Sequence, residues 1–176
     1  MQVQILKSVT DCKKIVVWGR SEASLEAYRL DMEADGYDVQ TTLDSTAVTD
    51  VCNLILMTTP SIVPLIKADQ IRPGMHISAI GSDTAHKQEL DAPILGAADV
   101  VIADSLIQCQ ERGEIYQALL TGDLTMDKVV ELGSAIKSGN RIRTSEDQVT
   151  VADLTGVAVQ DVKIAMAVSH ALGQAS

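Results

Sequence analysis

The carboxylate of Asp83 is the side chain best placed for chemistry, because it follows an apolar run and a glycine at residues 75–81. A partly desolvated carboxylate at the end of a strand can exchange a proton with an amine, an imine or an attacking water. Asp is also a good helix N-cap, and capping a helix over residues 84–90 is the more ordinary role. The residues alone leave both roles open.

A turn with two hydroxyl groups is the second candidate. Thr58, Thr59 and Pro60 follow the apolar run at residues 53–57. Ligands of a parallel sheet sit at this end of its strands. The alternative is an ordinary turn, in which proline ends the strand and the threonine hydroxyls satisfy loose backbone groups.

The other reactive residue types show no recognised spacing. The three histidines lack the spacing of a metal site, so no metal is expected, and neither a GxSxG nor an HExxH sequence occurs. Cys12, Cys52 and Cys109 are scattered without a CxxC pair. This favours reduced, buried or partly buried thiols in the cytosol over a disulfide framework.

These candidates must be positioned by the elements around them, and short apolar runs alternate with helical segments along the chain. The expected strands lie at residues 15–18, 37–41, 53–57, 75–80 and 99–103. The expected helices lie at residues 22–34 and 45–51, in a short segment opened by residues 91–93, and at 105–121, the last interrupted at Gly113. Apolar runs separated by helices indicate a parallel sheet covered on both faces. The predicted fold class is therefore α/β, doubly wound and mostly parallel.

Composition excludes several classes of protein. The chain has 176 residues and a net charge of −10, with one Trp, three Tyr and no Phe. An acidic protein with few aromatic side chains is a poor candidate for binding nucleic acid. No apolar run approaches the roughly 20 residues that span a bilayer, and the first residues lack a signal-peptide pattern. We therefore expect a cytoplasmic protein with neither a nucleic-acid nor a membrane partner.

The start of the chain lacks the glycine-rich loop with which a Rossmann-like sheet holds a dinucleotide, since no GxGxxG occurs. A residue that reads the ribose lies about 20 residues beyond that loop. Arg20 and Ser21 match that position if the first strand and loop precede Met1, with residues 2–10 as the helix that follows them. The alternative is a complete small sheet that never had such a loop.

Arg20 and Ser21 also have two interpretations. No carboxylate follows this strand, as NAD recognition would favour, whereas an arginine beside a hydroxyl suits the 2′-phosphate of NADP. The alternative is a solvated arginine and an ordinary helix cap at Ser21.

The last third of the chain is more polar at first and then apolar. Residues 121–149 predict loops around a helix at 127–133, and residues 157–172 predict an Ala/Val/Ile-rich helix. That helix either completes the domain or docks on a second one. The expected division is a truncated Rossmann-like domain over residues 1–150 and a C-terminal helix over residues 151–176.

Five short segments occur in order: VWGR at residues 17–20, TTPS at 58–61, AIGSDTAHKQELD at 79–91, ADS with ERGE at 103–114, and TGVAVQD at 155–161. Their order and spacing resemble the ornithine cyclodeaminase/mu-crystallin family over residues 1–172, and the GSDTAHKQELD stretch is most similar to cyclodeaminase and ectoine-utilisation members. Family chains are longer and begin with a substrate-binding, dimerising domain, then a first strand and glycine loop. The resemblance implies that this sequence is the C-terminal part of such an enzyme.

The resemblance also implies roles for particular residues. Asp83 would be the catalytic acid–base group, and the family's basic residues for the substrate carboxylate have no counterpart here. The residues implied near NAD or NADP are Thr58, Thr59, Pro60 and Gly81 at the nicotinamide half, Arg20 and Ser21 at the adenosine end, and Thr155 and Gly156 in a closing loop.

Two functions follow from these observations. The first is NAD(P)-dependent chemistry on a small amino acid or cyclic imine, such as cyclodeamination of ornithine or ketimine reduction, in a homodimer or with a partner chain that carries the N-terminal half. The second is a non-catalytic module that pairs with another chain, favoured by the absent glycine loop. A chain without that loop is not expected to bind the cofactor well by itself.

Overall fold

The computed structural model describes residues 2–173, except for the side chains of residues 159–161. The chain divides into two compact units, Met1–Cys52 and Asn53–Ser176, which we call the first and second units. The division expected at residue 150 separates a Rossmann-like domain from a helix that would pack on a further domain. It stays a prediction.

The first unit is a two-stranded parallel sheet with helices. Its elements are α1 (Gln2–Ile5), β1 (Lys14–Trp18), α2 (Glu22–Ala34), β2 (Asp38–Thr42) and α3 (Thr46–Val51). The strands pair in parallel from Lys14 beside Asp38 to Trp18 beside Thr42. The carboxyl end of β1 therefore delivers Arg20 and Ser21 to the start of α2.

Short apolar runs explain the core of this unit. Met32, Tyr37 and Val39 are buried together, and the partly buried side chains packed on them come from α1, β1 and α2. Gly36, at φ +86°, follows α2 as the expected stop, because the left-handed region favours glycine. Ser21 occupies the N-cap position of α2, but its hydroxyl makes no capping hydrogen bond, so that part of the prediction is wrong.

The second unit contains a five-stranded, entirely parallel sheet. Its elements are β3 (Leu54–Met57), β4 (His76–Ala79), α4 (Pro93–Ala97), β5 (Val100–Ala103), α5 (Gly113–Thr121), β6 (Val129–Glu131), α6 (Leu132–Ser138), β7 (Thr150–Asp153) and α7 (Ala158–Gly173). The strand order is β3-β4-β7-β5-β6. The predicted α/β, mostly parallel fold class is confirmed.

Two strands of this sheet were not expected. The helix predicted at residues 127–133 is instead a 3-10 turn at Met126–Lys128, followed by β6 and α6. The missed strand β7 lies between β4 and β5, and all four of its residues are buried. Thr150 and Asp153 make both ends of this strand polar. The strand is buried because β4 and β5 lie on either side of it. Its Thr150 hydroxyl meets the ring of His76 on β4 at 2.7 Å.

Three other expectations need correction or refinement. Within residues 105–121, a 3-10 turn at Gln108–Gln110 precedes α5, which begins at Gly113. Cys12 is exposed, contrary to expectation, whereas Cys52 is partly buried and Cys109 is buried. None of the helices in the described part of the chain combines the length and apolarity needed to cross a bilayer.

The C-terminal helix α7 presents apolar side chains to solvent. At least half of the surface is exposed at Val162, Ile164, Met166, Val168 and Leu172. The helix lies almost where the sequence predicted it.

Candidate functional site

Polar residues follow the strands of the second unit at one edge of the sheet. Parallel strands direct their carboxyl ends to the same side, which is where α/β sheets bind ligands. Thr58–Pro60 follow β3, Gly81–Asp83 follow β4, Asp104 follows β5, and Thr155 with Gly156 follows β7. The topology thus brings all of the second unit's predicted site residues to one edge.

Glu89 joins the first two of these turns. Its Oε1 accepts hydrogen bonds from the Thr59 N–H at 2.6 Å and the Thr59 hydroxyl at 2.8 Å. Its Oε2 accepts one from the Gly81 N–H at 2.8 Å. Glu89 is fully buried rather than a surface charge.

Gly81 lies against the same turn so closely that no side chain fits. A Cβ at this position would be 2.0 Å from the carbonyl oxygen of Thr59 and 2.7 Å from Oε1 of Glu89. The glycine is therefore needed for contact between the turns after β3 and β4. Whether it also allows approach of a cofactor stays a prediction.

Asp83 stands at the accessible side of this edge. Its side chain is 55% exposed and forms an ion pair with Lys87, four residues later. The hydrogen bond from Lys87 holds the pKa of Asp83 below its usual value. Residues 84–90 form turns rather than a helix, so Asp83 does not cap one there. At neutral pH it is an ionised, solvent-accessible carboxylate, less desolvated than expected.

A second buried carboxylate, Glu114 at the start of α5, supports the residues on either side of Asp83. It accepts hydrogen bonds from the Ser82 hydroxyl, from the Glu89 N–H at 2.7 Å and from the Leu90 N–H at 3.0 Å. Burial raises the pKa of Glu114, while these hydrogen bonds oppose that effect.

Asp104 holds the loop between β7 and α7. It accepts hydrogen bonds from the Thr155 hydroxyl at 3.1 Å and from the Gly156 N–H at 2.8 Å. Gly156 has φ +82° and is exposed, and α7 begins two residues later at Ala158. Asp104 therefore holds the start of this loop, while Gly156 is exposed to solvent.

Asp153 at the end of β7 is a third buried carboxylate at this edge. Its Oδ2 accepts the Ile115 N–H at 2.8 Å, whereas its Oδ1 has no hydrogen-bond partner among the described residues. Burial raises the pKa of Asp153 well above its usual value. The neighbouring thiol of Cys109 is also buried, and its pKa is raised to about 12, which makes it a poor nucleophile.

In the first unit, Arg20 and Ser21 are exposed beyond the end of β1. A cleft of about 420 Å³ lies at the carboxyl end of the two strands. Its lining residues are Glu22, Leu25, Glu26, Thr41, Thr42 and Leu43. Arg29 forms ion pairs with Glu26 and Glu33, at 2.6 Å each, which partly offset the negative charge of this helix face.

Sequence reasoning missed four carboxylates that accept hydrogen bonds at this edge, namely Glu89, Glu114 and Asp153, which are buried, and Asp104, which is partly buried. Each follows or adjoins an apolar run, which is the available signal, although exposed acidic residues occur in the same setting. Apart from Gly81, which is eight residues from Glu89, the hydrogen-bond partners named above lie 24 to 52 residues away in the chain. Only the folded topology reveals such contacts.

A parallel α/β sheet with polar groups at the carboxyl ends of its strands is the arrangement of nucleotide-binding α/β proteins. The model of the ornithine cyclodeaminase/mu-crystallin family matches residues 1–175, and the chain belongs to this family. The resemblance found in the five sequence segments is thereby confirmed.

Individual relatives agree with this assignment. The chain is 32% identical to an alanine dehydrogenase of Archaeoglobus fulgidus over 168 residues, which is 95% of this chain and 51% of that protein. It resembles the solved structure of an archaeal alanine dehydrogenase dimer with bound NAD, with a TM-score of 0.88, 32% identity and coverage of 99% of this chain and 54% of that one.

A second solved structure is that of the iminosuccinate reductase of Paracoccus denitrificans in complex with NAD+. Its TM-score is 0.84 at 29% identity, and the match covers 96% of this chain and 52% of that one. The chain spans about half the length of the curated relatives that match nearly all of it.

Proposed function

We propose that this chain supplies a dinucleotide-facing sheet edge and an acid–base carboxylate for NAD(P)-dependent chemistry on an amino acid or its imine. The observation that carries the proposal is the position of Asp83, accessible and ionised directly beyond the carboxyl end of β4. The family assignment and the NAD-bound relatives support the same chemistry. A small amino acid or a cyclic imine is the proposed substrate.

The available groups fit NAD(P). In the first unit, an exposed arginine and a serine hydroxyl without a capping bond can contact an adenosine phosphate or ribose. In the second unit, Thr58, Pro60 and Gly156 are exposed and can face a ligand. When bound, the nicotinamide would accept a hydride from the substrate α-carbon or return it.

Asp83 would move the proton that accompanies this transfer. Ion pairing with Lys87 keeps Asp83 ionised at neutral pH, so it can take a proton from a substrate ammonium group or an attacking water. The carboxylic acid so formed can return that proton to an amine. This assignment makes Lys87 a modulator of the basicity of Asp83.

The exposed helix α7 suggests where the rest of the enzyme would lie. We propose that its apolar surface packs on a substrate-binding domain, supplied by a longer polypeptide or by a partner chain. The support is the exposure of its apolar side chains and the double length of the relatives. Three scattered cysteines without a CxxC pair, one of them exposed, suit the reducing cytosol.

The test is Asp83→Asn in an assembly that turns over substrate. We expect turnover to fall by about 10²–10⁴-fold, because asparagine cannot accept the proton, while the dissociation constant of the cofactor changes little. Asp127→Asn, an exposed change of the same kind, is the control. Normal turnover in the Asp83 variant would remove this residue from the mechanism.

The second candidate function is a non-catalytic module that pairs with another chain. The absence of a GxGxxG sequence favours it, since that loop normally holds the pyrophosphate. Titration of the purified chain with NADH and NADPH separates the two candidates. Micromolar binding supports the enzyme, and no binding at millimolar cofactor supports a scaffold.

A further inference from the structure

Two buried carboxylates, Glu89 and Glu114, lie behind the candidate site and take no part in the proposed proton transfer. Each is at most 1% exposed. Within the described residues, neither forms an ion pair, and both are surrounded by hydrogen-bond donors. Burying two acidic side chains without an opposite charge costs free energy, so we ask what their hydrogen bonds contribute.

The contacts of Glu89 require a carboxylate. Its two oxygens face the backbone N–H groups of Thr59 and Gly81, which can only donate. A glutamine would present an acceptor to one of these turns and an NH2 group to the N–H of the other. Both turns are therefore held only when each of the two side-chain atoms at the end of residue 89 is a hydrogen-bond acceptor.

Glu114 extends the same linkage by one layer. It accepts hydrogen bonds from the backbone N–H of Glu89 itself and from the hydroxyl of Ser82. The two residues before Asp83 are thus each held by a different buried carboxylate, Gly81 by Glu89 and Ser82 by Glu114. This pattern fixes the backbone that carries Asp83.

We propose that Glu89 and Glu114 are positioning residues that hold the turn carrying Asp83 and the turn after β3 in one fixed arrangement. Both act through the backbone of these turns, and the inference rests on the proposed function of Asp83. Fixed geometry has catalytic value because a misplacement of about 1 Å can cost about 100-fold in rate.

The first measurement is amide hydrogen exchange on the ligand-free chain carrying Glu89→Gln. We expect one of the two amides, Gly81 or Thr59, to exchange about tenfold faster than in the unmodified chain, because the glutamine NH2 group replaces the acceptor of that amide. The amides of β5 should keep their rates. Glu146→Gln, which makes the same change at an exposed site, should alter none of them. Unchanged exchange at both Gly81 and Thr59 would overturn the proposal.

The second measurement is the dissociation constant of NADH and NADPH for the same proteins. Glu89→Gln should weaken binding by about tenfold, since the Thr59 turn is no longer held in place. Ile94→Val, a buried change in α4 away from the turns, controls for a general loss of stability and should bind like the unmodified chain. Faster exchange with unchanged affinity would overturn the positioning role.

These readings separate the two proposals. If the unmodified chain binds neither dinucleotide at millimolar concentration, cofactor binding by this chain fails, and the exchange rates still decide whether Glu89 fixes the turns.

If Glu89→Gln does not fold, Ser82→Ala removes only one donor to Glu114. Exchange at the Asp83 amide should then accelerate while the Leu90 amide is unaffected, and no change at Asp83 would contradict the proposal.

Discussion

Asp83 and Lys87 form an ion pair four residues apart at the exposed rim of the second unit. Because Lys87 lowers the pKa of Asp83, Lys87→Met should move that pKa upward, toward its ordinary value. An NMR titration of the Asp83 side-chain carboxyl carbon measures the change. In an active assembly, the acid limb of the rate profile should move to higher pH by the same amount.

The matched control is Lys137→Met, which removes an exposed lysine from α6. It should leave the Asp83 titration where it is. An Asp83 pKa that is identical with and without Lys87 would show that the ion pair does not set the basicity of this group.

Asp153 gives a prediction about stability and pH. Its pKa is higher in the folded protein than in the unfolded chain, so the folded state holds its proton more tightly. The stability that this proton provides is complete below the unfolded pKa and is lost as pH rises through the folded one. Asp153→Asn removes the titration and can keep an acceptor for the Ile115 N–H.

We therefore expect Asp153→Asn to flatten the fall in Tm with rising pH, and to be more stable than the unmodified chain at pH 8 relative to pH 5. Thermal unfolding across this range measures it. Asp147→Asn, at an exposed site, should preserve the original pH dependence. An equal slope in the Asp153 variant would contradict a raised pKa for this buried carboxyl group.

At the scale of elements, the turns after β3 and β4 pack through Gly81. A methyl group there would overlap the carbonyl oxygen of Thr59, so Gly81→Ala should destabilise the second unit by roughly 1–3 kcal/mol or more. Denaturant unfolding measures the loss. The turns cannot separate cheaply, because Glu89 ties them together.

Gly133→Ala is the matched control for this substitution. Gly133 lies in α6, and a Cβ there would contact nothing within 4 Å. Alanine should be neutral or stabilise by up to about 1 kcal/mol, since it is the better helix former. Equal effects at the two glycines would argue against close packing at Gly81.

Apolar runs predicted the elements well wherever the run itself is buried. Strands β3 to β5 lie within one residue of their predicted positions at each end, because burial of a central strand requires apolar sequence. The pattern failed for β7, whose burial comes from its neighbours rather than from its own composition. The same limit applies to Glu89, whose hydrogen bonds depend on residues 30 positions away.

At the scale of the whole molecule, the chain has two compact units that each present polar groups at the carboxyl ends of parallel strands. Sequence reasoning located Asp83 and the threonine turn because both directly follow apolar strands. It could not find the buried carboxylates that hold them, since no local pattern distinguishes an acidic residue held by backbone N–H groups from one in solvent.

The central claim is that these strand ends face a dinucleotide. Its most direct test is an amide NMR titration of the unmodified chain with NADPH and NADH, up to millimolar concentration. The account predicts saturable shifts at Arg20, Ser21, Thr59, Gly81 and Gly156, with little change in α6. Saturation with no shift at these residues, or no saturable shift anywhere, would contradict it.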